Sequence, residues 1–454
     1  MMFLSVKRPP YGDLAFIKRP DGSRGRDYMT GTNSQITNPE TRGMRNTAPF
    51  ILTGLSAGHG IFHWFSQSFF VMLPEVVATF GLNGLQVGAI SATREVVSGI
   101  IALPGGVVTD MVRRHWGMVL AGCMGLFGVG WLIMSISPIY PVLLLGMAAV
   151  AAAAAIWHLP AAAALSQRFA DRRGSALSIH GVGGNIGDVL GPALTGVLLL
   201  TLSWRGVLSI YAVVPLLLIF IVFWAFRDIG RTGFLDTVRP GFREQMADTR
   251  ESFKDHPRLW GIMAVAGLRG MASVAFLPFL ALYLGLDDEL GLGNAALGLH
   301  IALLVGVGVV AAPVVGYISD RAGRKLVLVP EMLALSALTA LLVPFGEGAG
   351  LIIILALLGV FFFSDQPILT AAALDIVGDK VAASTLGVFS FSRFVLAAGS
   401  PLIAGELFDE VGIESTFFFV AGIYLLATVV LLLVPLSGPD SISENADGNN
   451  QTQI

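Results

Sequence analysis

Residues 316–325 read Gly316-Tyr317-Ile318-Ser319-Asp320-Arg321-Ala322-Gly323-Arg324-Lys325. A shorter echo, Gly106-Val107-Val108-Thr109-Asp110, stands 210 residues earlier and runs on to Arg113 and Arg114. In each copy an aspartate follows a glycine by four residues, after a long apolar run and before a group of arginines. The echo continues outward. His158-Leu159-Pro160 reads against Asp365-Gln366-Pro367, and Gly191-Pro192 with Gly196 reads against Ser400-Pro401 with Gly405, at offsets of 207 and 209. Matches that keep order and spacing mark a duplicated unit, with the two copies running in the same sense.

Composition says what the unit is. The 454 residues are 54% hydrophobic and 13% charged, with mean hydropathy +0.75. A soluble globular chain carries about 25% charged residues, so there is too little polar surface here to clothe a particle in water. A helix crosses a bilayer with about 20 apolar residues. Twelve such stretches are read near 49–75, 85–108, 115–136, 139–165, 175–201, 205–226, 258–285, 294–318, 326–345, 350–377, 383–409 and 414–436. The predicted fold is an all-α polytopic membrane protein with twelve transmembrane helices in two pseudo-symmetric six-helix bundles. The boundaries are 49–226 for the first bundle and 258–436 for the second. A charged linker, 227–257, joins them, with tails at 1–48 and 437–454.

Basic residues set the orientation. Counting the first tail, the central stretch 227–258 and the loops after spans two, four, eight and ten gives 24 of the 28 Lys and Arg on one side. That side is read as cytoplasmic, with both termini on it and the protein in the inner or plasma membrane. The first 46 residues hold eight basic residues and no long apolar run, so no signal peptide is expected. The only cysteine, Cys123, excludes an intramolecular disulfide and any Cys-built zinc or iron–sulfur site.

The signature 316–325 resembles the loop signature of the major facilitator superfamily, and the resemblance covers nearly all of 49–436. The first copy keeps Gly106, Asp110 and the arginine pair, but Met111-Val112 replaces its Arg-x-Gly core. Within that superfamily the chain is most similar to the fosmidomycin-resistance antiporter group. The segments that carry this are Gly58-His59 with Leu73-Pro74, Gln86-Val87-Gly88, Trp157-His158-x-Pro160-Ala161 and Gly181-Val182-Gly183-Gly184-Asn185-Ile186-Gly187-Asp188-Val189-Leu190-Gly191-Pro192. The group tends to carry an acid one turn after the histidine of its first span; here that place holds His63. The resemblance implies proton-driven outward export of a small anionic or amphiphilic compound by a monomer.

Ionisable residues inside spans are expensive and default to functional readings. His59 and His63 lie one turn apart on one face, with Gln67 one turn further; they are candidates for proton handling or substrate contact, as is His158. His180 is ranked below them. Arg94 is read either as a partner of Asp188 or as snorkelling to outer water. Arg269 is read either as an anchor for a phosphonate, phosphate or carboxylate or as a structural partner of Asp365, and Arg393 carries the same two readings. If Asp365 is bridged to one of these arginines, its protonation breaks the bridge and couples proton entry to movement. Gly106, Asp110, Arg113, Gly316, Asp320, Arg321 and Arg324 are read as cytoplasmic gating residues, the aspartates capping a helix or pairing across the two bundles. Gly183, Gly187 and Gly191 line one helix face that permits close packing. Pro192, with its counterpart Pro401, is the expected hinge.

No G-x-x-x-x-G-K-[ST] loop, H-E-x-x-H or G-x-S-x-G is present. An ATPase or a membrane enzyme is therefore not expected, nor a cofactor or metal site. The acids interleaved through 227–257 argue for a membrane-surface segment and against nucleic acid. The expected function is a secondary transporter working by alternating access, with a small molecule, protons and the lipid bilayer as partners. Its rivals are a proton–anion uptake symporter and a non-transporting receptor.

Overall fold

The computed structural model describes residues 43–230, 251, 254, 256–377 and 382–436. Helices dominate: α1 Ala48–Phe80, α2 Gly84–Met111, α3 Trp116–Ser135, α4 Tyr140–Arg168, α5 Arg173–Leu198, α6 Trp204–Phe226, α7 Arg258–Gly285, α8 Asn294–Ala322, α9 Arg324–Phe345, α10 Gly348–Phe362, α11 Asp365–Val377, α12 Ala382–Val411 and α13 Ile413–Leu433. Eleven of these correspond one to one with expected stretches, and the tenth stretch is broken into α10 and α11 at Phe363–Ser364. The described chain runs up and down, so residues 43 and 436 lie at one end, called here the termini end; Phe80 and Gly84 lie at the far end.

Local sequence explains the boundaries. α1 stops at Gly81, whose φ of 60° is the left-handed C-cap that glycine adopts freely. Ser203 opens α6 by accepting a hydrogen bond from the Gly206 amide. Gly323, at φ 100°, lets α8 end and α9 begin without a loop. The first repeat has Arg113 at the equivalent place, and the chain there makes a short 3-10 turn, Arg113–His115. The departure Met111-Val112 thus has a backbone consequence. Prolines 74, 104, 160, 192, 215, 278, 313, 330, 344 and 401 sit inside helices, which membrane helices tolerate because neighbours re-satisfy the freed carbonyls.

Among the described residues eight helical stretches are long and apolar enough to cross a membrane: α3, α4, α6, α7, α8, α9, the α10–α11 pair and α13. α1, α2 and α5 fall outside that group, and they carry His59, His63, Arg94, Glu95 and Asp188. α1 packs on α5, α3 on α4 and α6, and α2 on α4, giving the first six-helix bundle; α7 packs on α12 and α13, α8 on α10, and α9 on α13, giving the second.

The bundles meet along two seams, α2 on α12 and α5 on α8. A Cβ added at Gly88 would lie 2.1 Å from the Pro401 carbonyl oxygen, and one at Gly84 2.5 Å from that of Gly405. On the other seam, Gly298 would meet the Pro192 carbonyl at 2.4 Å and Gly196 that of Asn294 at 2.4 Å. Gly88 and Gly298 are repeat counterparts, as are Pro192 and Pro401, so the duplication read in the sequence reappears as a pair of related backbone contacts. The far end is further tied by polar contacts. The Asp409 carboxylate accepts from the amides of Gly84 at 2.6 Å and Leu85 at 3.0 Å, capping α2 from the other bundle. Glu75 accepts from Asn294 Nδ2 at 2.7 Å.

Candidate functional site

Behind the first bundle's polar face stands an aromatic wall. The rings of Phe65 and Tyr211 stack at 4.2 Å, Phe62 lies 4.2 Å from Phe127, and Phe62 lies 5.0 Å from Trp157. Gly58 is the residue that lets the Trp157 ring in, since a Cβ there would sit 2.4 Å from it. On the other flank α5 presses its glycine face on α1. A Cβ at Gly183, Gly187 or Gly191 would lie 2.2, 2.2 or 2.4 Å from the carbonyl oxygens of Ser56, Gly60 and Trp64. The period-four glycines thus set the α1–α5 distance, and with it the position of everything between the two helices.

Between them lie four histidines. His59 is the hub: its ring stacks on His180 at 4.2 Å and meets His63 at 4.4 Å and His158 at 4.9 Å edge-on. Its Nδ1 is 2.9 Å from the His180 carbonyl oxygen. A carbonyl only accepts, so Nδ1 carries the hydrogen and Nε2 keeps its lone pair. His63 Nδ1 stands 2.9 Å from both oxygens of Asp188, which fixes the same tautomer when the ring is neutral. The His63 side chain is 34% exposed and Asp188 11%, so this pair is the wetter edge of the cluster. His180 is buried, and its Nδ1 has no hydrogen-bond partner among the described residues. Gln67 is half-buried on α1, one turn past His63.

The second bundle holds a drier cluster. Arg269 donates from Nε to Asp365 at 2.7 Å, from Nη2 to the Phe362 carbonyl at 2.9 Å and from Nη1 to Gln366 Oε1 at 3.3 Å. Its side chain is 8% exposed and that of Asp365 0%. The break between α10 and α11 frees the Phe362 carbonyl for this contact and puts Asp365 at the start of α11. Ser364, in the break, donates to the buried Glu331 of α9, whose Oε2 has no hydrogen-bond partner among the described residues. Two carboxyls thus face one guanidinium, and an electrically neutral cluster holds one proton.

Several expectations change. Asp188 meets His63, and Arg94 forms no ion pair among the described residues; it is half-buried on α2. Of the two readings of Arg269, the structure has the pair with Asp365, and one donor on each guanidinium nitrogen is engaged. Among the described residues Asp320 pairs with Arg324 of its own loop, whose Nε holds Asp375 at 3.0 Å, while Arg321 lies 4.4 Å from the Tyr317 ring centre. Gly316 is on α8 with open space around it, and Arg113 is in the turn after α2. The side chains of Gly106, Asp110 and Arg393 lie outside the described residues. His180, ranked low from sequence, belongs to the histidine cluster. Glu331 was missed, although a lone acid inside an apolar span is a signal. Glu95, next to Arg94 on α2, is buried, and its Oε2 is unpartnered among the described residues. His59, His63 and His158 each offer a ring nitrogen, and the three atoms lie within 4.8 Å of one another.

The family model described as Major Facilitator Superfamily matches residues 55–401. An uncharacterized MFS-type transporter, YfnC, of Bacillus subtilis (strain 168) is 24% identical over 82% of this chain and 91% of its own length. The fosmidomycin resistance protein of Escherichia coli (strain K12) is 22% identical over 84% of this chain and 92% of its own. Among solved structures, a bacterial homolog of the human lysosomal transporter Spinster, in an inward-facing and occupied conformation, superposes with a TM-score of 0.69 at 14% identity. It covers 85% of this chain and 96% of that one.

Proposed function

The chain belongs to the major facilitator superfamily, and from that premise we propose that it exports a small anionic or amphiphilic compound in exchange for protons. Membership and fold make it a multi-pass membrane transporter; coupling, cargo class and direction are our reading. The termini end is taken as cytoplasmic, so the seams closed by Asp409 and Glu75 seal the outer side.

The observation that carries the reading is the His63–Asp188 pair. It is partly exposed, at 34% and 11%, within a cluster of imidazoles whose Nε2 lone pairs at His59 and His63 are free of the hydrogen bonds that fix their tautomers. A proton and a cargo O–H or N–H donor compete for those lone pairs, and competition for one set of acceptors is what makes an exchanger. Imidazole suits the task because it loads and releases protons near neutral pH when unperturbed. In the second bundle a proton arriving at Asp365 or Glu331 weakens the hold on Arg269, and Arg269 ties α7 to the broken span. That is how proton entry would move one bundle against the other. Gly187, Gly191, Pro192 and Pro401 keep the packed surfaces that such rocking turns on. The outward direction rests on likeness to the fosmidomycin-resistance relatives. The inner or plasma membrane and a monomeric state are the remaining parts of the proposal.

Proteoliposomes loaded with a pH dye test it, challenged from outside with anionic antibiotics and organic acids. Alkalinisation of the lumen on substrate addition is the expected result. Acidification would make the protein a symporter, and substrate movement without a pH change would remove the proton.

A further inference from the structure

We infer that His59, His63 and His158 form a binding site for a divalent transition-metal cation of the zinc, nickel or cobalt class. Three ring nitrogens from two helices lie within 4.8 Å of one another. An ion held by all three would take each at about 2.0–2.1 Å. His59 and His63 are one turn apart on α1, and His158 comes in from α4.

Proximity alone would not carry this; the hydrogen bonds behind the ligands do. Metal-bound imidazoles nearly always donate their other N–H to a carboxylate or a backbone carbonyl, which fixes the tautomer and aims the lone pair. His59 donates Nδ1–H to the His180 carbonyl and His63 donates Nδ1–H to Asp188. Both supports are therefore in place, and both leave Nε2 as the metal-facing atom. The His180 ring, whose buried Nδ1 has no hydrogen-bond partner among the described residues, stacks on the His59 ring, and Asp188 brings negative charge next to the cation. Neutral imidazoles select borderline ions over magnesium and calcium, which take oxygen ligands. The cluster has the exposed edge an ion needs for entry, at His63.

The inference goes beyond the transport reading and stands without it, because the test needs no gradient and no cargo. The full chain is purified in detergent without a polyhistidine tag and titrated with Co2+ alone. The expected result is one equivalent bound per chain, with the visible ligand-field absorption of a nitrogen-coordinated ion. His158→Ala should abolish the band. Asp188→Asn keeps every ligand and should weaken binding about 10–100-fold. His300→Ala, whose Nδ1 is satisfied by the Ala296 carbonyl, should leave it unchanged. Size-exclusion profile and thermal unfolding report whether each variant is folded. A wild-type protein with no stoichiometric band, or a band that survives in the folded His59→Ala/His63→Ala/His158→Ala variant, overturns the proposal.

Discussion

Arg269 shows how a charge is kept inside a membrane helix. Its guanidinium has three partners and its carboxylate partner is wholly buried. Removing one member of such a pair strands the other, at about 3–5 kcal/mol, whereas replacing both by well-packed apolar residues is often neutral. Arg269→Ala should therefore lower the thermal unfolding temperature of the purified protein sharply, and Arg269→Met/Asp365→Leu should recover most of it while losing proton coupling. Recovery of stability together with coupling would show that the pair is only structural. His63 differs in kind: it is partly exposed and shares one carboxylate, so His63→Ala should cost little stability. The choice between anchor and ion pair for Arg269 was open in the sequence because Asp365 is 96 residues away. The same holds for the histidines. His59 and His63 are one turn apart and readable as a pair, but His59 meets His180 across 121 residues, and no local pattern encodes that meeting.

At the scale of elements the sequence was more transparent, because what matters there is periodic. A glycine every fourth residue on α5 announces a close helix contact, and α1 is the helix that makes it. Gly187→Ala would drive a Cβ to 2.2 Å from the Gly60 carbonyl oxygen, and backbone cannot step aside cheaply. Overpacking of this kind costs about 1–3 kcal/mol and moves His59 and His63 relative to Asp188. Gly181, on the same helix, has nothing within 4 Å. The expected outcome is a marked loss of unfolding temperature and transport for Gly187→Ala and near wild-type values for Gly181→Ala; equal effects would contradict the packing role. The break between α10 and α11 was not legible. The residues around it, Phe361-Phe362-Phe363-Ser364, are apolar enough to continue a helix, and the interruption is held by Ser364, Glu331 and Arg269 from three different segments.

For the whole molecule, the repeat predicted two bundles and the seams show how they touch. Close backbone contacts and the Asp409 and Glu75 bonds tie the far end, while at the termini end Asp320 pairs within its own bundle. A state closed at the far end is what an exporter needs when it loads from the cytoplasm. Asp409 caps α2 at a worth of about 1 kcal/mol, roughly a fivefold change in a two-state population. Asp409→Ala should raise the labelling of a cysteine placed at Gln67 from the far side about fivefold, in a Cys123→Ser background; no change would remove Asp409 from the gate.

The central claim is that the His63–Asp188 pair exchanges protons for cargo. Its most direct test compares two fluxes in proteoliposomes carrying wild type, His63→Ala or Asp188→Asn: uptake driven by a pH gradient, and cargo–cargo counterflow with no gradient. The account predicts that both variants lose gradient-driven uptake at least tenfold while counterflow persists, because the carrier still alternates when cargo is bound on each side. Variants that keep gradient-driven uptake at the wild-type rate would contradict it.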